Sequence, residues 1–140
     1  MSSSKKMALL SAVYLGVAGS GTWVAESRDL SGRPFGIVTD LSVIQSFVFG
    51  LGTALSAPLA LLLLLAALSA WLLRSDDRRP IQLITILAGG FLVGMLVEPI
   101  LGEVLVGSHD LPVTILVAAN VLVPLAMLAY GLTASPRVAG

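Results

Sequence analysis

The chain has 140 residues, no net charge at neutral pH, 56% hydrophobic and only 11% charged residues, and a mean hydropathy of +0.98. A soluble domain carries roughly 25% charged residues, so this composition excludes a water-covered surface, and no basic patch suggests a nucleic-acid partner. With no cysteine and one histidine, His109, disulfides, thiolate metal sites and cysteine nucleophiles are excluded, and neither a metal nor another cofactor is expected.

A spanning helix needs about 20 apolar residues. The pattern predicts an all-α integral membrane protein, a bundle of four transmembrane helices over residues 7–25, 43–73, 81–106 and 111–132. The first lies between Lys5-Lys6 and Glu26-Ser27-Arg28-Asp29. Lys5-Lys6, a short apolar run and Ala18-Gly19-Ser20 also resemble a cleavable signal. The run continues through Trp23 and Val24, so a retained span is expected.

The second stretch is overlong. Its 33 residues from 41 to 73 would reach about 50 Å against a hydrocarbon core of about 30 Å. Ser42-Val43-Ile44-Gln45 reads as a capping box, so a helix starts there. Gly50, Gly52 and Pro58 offer points to bend. The expectation is a short outer section over 43–49 and then a kinked or tilted main span. Pro80 suits the first turn of the third helix, and Asp110 suits the cap of the fourth.

Positive charge sets orientation. With the N-terminus inside, Lys5, Lys6, Arg74, Arg78, Arg79 and Arg137 fall inside, and only Arg28 and Arg33 outside. The expected topology is N-in/C-in, a multi-pass protein of the cell membrane. Trp23, Trp71 and Tyr130 then fall at the interfaces as anchors.

Six of the eight acids, Glu26, Asp29, Asp40, Glu98, Glu103 and Asp110, map to the outer third or the outer loops. Most have structural readings as caps or solvated loop residues. Glu98 stands apart. On a helix continuous to 106 it would lie in the outer hydrocarbon region, where an ionisable group is functional by default. Gly90, Gly94, Glu98 and Gly102 recur every four residues, a small-residue stripe that lets another helix approach. Pro99, read as helix-interior, would free the Met95 carbonyl. Glu103, about 140° from Glu98 on a regular helix, would not share its face.

The fourth helix places Asn120 near the midplane, with Pro124 freeing its carbonyl; joining helices is the first role of such a residue. Tyr14, Gln45, Asp40 and Glu26 complete the candidate ligand-binding set around Glu98 and Glu103, the candidate catalytic pair. His109 reads as an exposed loop residue, because adjacency to Asp110 gives poor mutual geometry.

Three functions fit. One is an outer-leaflet acidic pocket that binds or processes a lipophilic small molecule, with Glu98 as general acid or polar anchor. Chemistry needing only carboxyls, such as epoxide opening or acid-catalysed cyclisation, would suit it. A second is a proton-coupled transporter acting as a homo-oligomer. A third is an accessory subunit bound to a partner membrane subunit. The lipid bilayer is a partner in all three.

Overall fold

The structure is a computed structural model that describes residues 1–134. Among them it is all-helical, with no strand: α1 Ser3–Ser27, α2 Val43–Phe49, α3 Leu59–Arg74, α4 Arg79–Leu96, α5 Pro99–Leu105 and α6 Leu111–Ala134. A 3-10 turn occupies Pro34–Gly36. Arg137, counted on the inner side above, lies outside the described residues.

Helices α1, α4 and α6 are long and apolar enough to cross a membrane, at 25, 18 and 24 residues. The equally apolar α3 has 16 residues, about 24 Å at 1.5 Å per residue. The α1 helix packs on α3 and α6, and α4 packs on the same two, so the four long helices follow one another in a ring. Tyr130 near the end of α6 donates to the Ser3 carbonyl at 3.4 Å, which sets that end beside the start of α1.

Side chains divide the interior into two clusters. One centres on Met7, Tyr14, Leu65, Leu72, Ile84 and Met127. The other lies toward the opposite ends of the helices and gathers Ala25, Val43, Leu55, Ile100, Val113 and Val117 around the connecting segments.

The capping box forms as read. Gln45 N–H donates to Ser42 Oγ at 3.2 Å, and Ser42 N–H donates to Gln45 Oε1 at 3.0 Å. The overlong second stretch is not one kinked helix. It breaks after α2, and residues 50–58 are non-helical. Gly52 there has φ +97°, a region open mainly to glycine. Pro58 closes the segment at the N-cap of α3.

The third stretch is not continuous over 81–106 either. It ends at Leu96 and restarts at Pro99. Glu98 has φ −78° and ψ 131°, the extended conformation forced on a residue that precedes proline by the clash with the proline ring. Pro99 opens α5 instead of distorting a helix interior. Met95 has no freed carbonyl, because its oxygen accepts from Glu98 N–H at 3.3 Å.

The glycine stripe is also corrected. A Cβ at Gly90, Gly94 or Gly102 would meet nothing within 4 Å, so no helix packs there. The close approaches occur elsewhere. Gly21 lies against the Leu55 backbone, and Gly131 against the Thr85 side chain.

Candidate functional site

The site is built around the non-helical segment. Backbone outside a helix needs other partners for its polar groups, and neighbours in the fold supply several of them. Gly50 and Gly52 N–H both donate to the Ser46 carbonyl at 3.0 Å, and Ala54 N–H donates to the Leu30 carbonyl at 3.2 Å. Leu55 is fully buried. Its carbonyl accepts from Asn120 Nδ2 at 2.9 Å, and the same amide donates to Leu116 O at 2.9 Å. Asn120 thus ties α6 to the 50–58 backbone, not to another helix.

Behind this segment lies a cavity of about 250 Å³. Its back wall is Tyr14 of α1, stacked on Phe91 of α4 with ring centroids 4.6 Å apart, together with Asn120 of α6. One side is the backbone and small side chains of Thr53, Ala54, Ser56 and Ala57. The α4 lining includes Gly90 and Gly94, which present no side chain, and Met95. Pro34 and Glu98 also line it, Glu98 as the one acidic residue of the lining.

Glu98 is the N-cap residue of α5, but its carboxylate does not bond the helix. Both oxygens accept from the backbone N–H of Arg33, each at 3.1 Å. Phe35 N–H adds a bond to Val97 O at 3.0 Å. The 33–36 turn is thus laid across the α4–α5 junction. Phe35 has φ +54°, uncommon and costly for a bulky side chain, and these two bonds hold it there.

The Arg33 side chain reaches Glu103 at 3.1 Å. Glu103 Oε2 lies 2.7 Å from His109 Nε2, and since a carboxylate only accepts, that nitrogen carries the hydrogen. Arg28 pairs with Asp110 at 2.8 Å. Burial holds the Glu98 carboxyl above its ordinary range, against the lowering effect of the Arg33 N–H. The His109 hydrogen bond, with help from Arg33, holds Glu103 below it.

A carboxyl with a lowered value stabilises the fold above its ordinary range, and that stability is lost as pH falls through the lowered value. Glu98 acts in the opposite sense, so the comparison must isolate Glu103. The wild type is expected to lose thermal stability relative to Glu103→Gln as pH drops from 6 to 3, with the two curves converging at the acid end. Parallel curves would remove Glu103 as a source of acid sensitivity.

Of the residues singled out from sequence, Glu98, Asn120 and Tyr14 share the cavity. Glu103 joins Glu98 only through Arg33, so the two do not form a carboxylate pair but hang on one arginine. Glu26, Asp40 and Gln45 are exposed and lie off the cavity lining, with Gln45 committed to its capping box. His109 is not the exposed loop residue expected, since 19% of its side chain is accessible and it holds Glu103. Asp110 directs its carboxylate to Arg28. Sequence reading missed Arg33 as an organiser. Its one visible signal was the turn-rich Ser31-Gly32-Arg33-Pro34.

No protein-family model matches the chain, and neither a curated protein nor a solved structure is significantly similar to it.

Proposed function

We propose that the chain is a multi-pass protein of the cell membrane whose outer-leaflet pocket binds a small lipophilic molecule, with Glu98 as its polar anchor. The observation that carries this reading is the cavity itself. Its lining is mostly apolar and small side chains with a few polar groups, among them Asn120 and the single carboxyl of Glu98, the composition expected of small-molecule sites. Its volume, about 250 Å³, is just below the roughly 300–1,000 Å³ usual for such sites, so the occupant is small or only partly enclosed. As the acid of the lining, Glu98 is also the group that would protonate a bound substrate if the protein is an enzyme.

The topology that goes with this reading has four crossings, N-in/C-in. Lys5, Lys6, Arg74, Arg78 and Arg79 gather at one end of the helices, as cytoplasmic positive charge requires. Glu98 then faces the outer leaflet. The short α3 completes its crossing with help from residues 50–58.

The test fills the cavity without disturbing the fold. A Cβ at Gly94 meets nothing within 4 Å, and replacing a helical glycine gains up to about 1 kcal/mol of helix propensity. Gly94→Leu is therefore expected to be at least as stable as wild type. A diazirine-bearing fatty alcohol, photolysed in proteoliposomes and mapped by mass spectrometry, should label Phe91, Met95 and Ala57 in the wild type. That label should fall about tenfold in Gly94→Leu, as if about 1.4 kcal/mol of binding were lost. Equal labelling of the two proteins would show that the cavity is not a binding site.

A further inference from the structure

We infer that the pocket opens sideways into the outer leaflet, so that its ligand is a membrane-dissolved amphiphile arriving from lipid and not a solute arriving from water. This rests on the pocket being a binding site, and it concerns the route and hence the class of ligand.

Three observations converge on it. First, the cavity's exposed lining is apolar and lies at or below the helix ends. Leu51 is 72% exposed and Leu61, in the first turn of α3, is 37% exposed. Gly90 and Gly94 are exposed on α4. Gly90 is six residues before the last residue of α4, about 9 Å inward along the axis. An opening at that depth on a membrane-length helix faces acyl chains, not bulk water.

Second, the two helices flanking the opening are the shortest of the four long helices. The 16 residues of α3 and 18 of α4 give about 24 and 27 Å, against about 30 Å for the hydrocarbon core. On this flank the outer hydrocarbon level must be filled by something else. The elements at hand are residues 50–58 and α2.

Third, those elements are built for lipid. From Pro34 to Leu73 the only charged residue is Asp40. Phe35, Ile44, Phe49 and Leu51 are exposed, Phe49 at 85%, while Val43 and Ser46 turn inward. A water-facing loop of this length would expose an apolar patch with nothing to cover it. Against the outer leaflet the same side chains continue the lipid-facing surface of Leu63 and Leu64 on α3, and α2 lies in the interface as an amphipathic element.

Site-directed fluorescence tests the route. Trp23 and Trp71 are replaced by phenylalanine and one tryptophan is introduced by Leu51→Trp in proteoliposomes. Acyl-chain-brominated phosphatidylcholine should quench it strongly and aqueous iodide only weakly. Strong iodide quenching with weak bromolipid quenching would place the mouth in water and overturn the inference. Leu61→Trp, at another residue of the cavity lining, repeats the measurement should the first variant fail to fold. The two readings fail separately. A lipid-facing mouth without cavity labelling by the fatty alcohol would remove the binding site, whereas cavity labelling behind an iodide-accessible mouth would remove only the lateral route.

Discussion

Gly21→Ala is expected to destabilise the protein by about 2 kcal/mol, even though alanine in a helix is favoured over glycine by roughly 1 kcal/mol. The Cβ would collide with the Leu55 carbonyl. Overpacking of this kind costs about 1–3 kcal/mol. The displaced oxygen is also the acceptor for Asn120, and a buried amide left without its partner costs about 1–3 kcal/mol more. Gly16→Ala on the same helix, where a Cβ meets nothing within 4 Å, is the control and should be neutral or stabilising. Unfolding by sodium dodecyl sulfate titration in mixed micelles separates the pair. Asn120→Leu should cost a comparable amount, and the double variant with Gly21→Ala should cost less than the sum, because both act on Leu55. Equal stability of the two alanine variants would mean that the 50–58 backbone does not sit against α1.

Glu98 carries the other large expected effect, on ligand affinity. A hydrogen bond from a ligand to a charged acceptor is worth about 1.5–3 kcal/mol, so Glu98→Gln should weaken retention of the fatty alcohol about tenfold or more. The glutamine oxygen still accepts from Arg33 N–H, which keeps the turn in place. Glu98→Leu removes that acceptor as well and should both lose the ligand and loosen residues 33–36, read as faster amide exchange at Arg33 and Phe35. The methyl ether of the probe cannot donate. It should label the wild type about as weakly as the alcohol labels Glu98→Gln, and the substitution should not weaken it further. If the ether and the alcohol label the wild type equally, Glu98 is not the anchor. The same variant addresses proton chemistry, since full binding or turnover by Glu98→Gln across pH 5–9 would remove any role for its proton.

Both effects depend on features that the sequence displayed unequally. The capping box at Ser42 and Gln45 was legible because its physics is local: two side chains and two amides within four residues. The helix start at Pro80 was legible for the same reason. The interruption near Gly50–Pro58 was visible as a place to bend, but its non-helical path depends on acceptors and donors from Ser46, Leu30 and Asn120, the last 65 residues from Leu55. Glu98 stood out as an acid on an apolar run. Its setting is extended and not helical, because the constraint of Pro99 on the residue just before it outweighs the continuing apolar pattern. Glu26 and Asp40 share only their charge type with Glu98, and both are exposed away from the cavity lining.

Composition and hydropathy alone determined the class, a helical protein with membrane-length apolar segments and its acids massed toward one end. They did so because lipid compatibility is a property of each segment by itself. The tertiary structure decided that the Gly90–Gly94 face opens on a cavity and does not pack on a helix. It also decided that Glu98 is gripped by Arg33, and that Glu103 and His109 are tied in through the same arginine. These are contacts between residues 65 and 70 positions apart. Local propensity carries no information about which distant turn will fold over a given carboxylate.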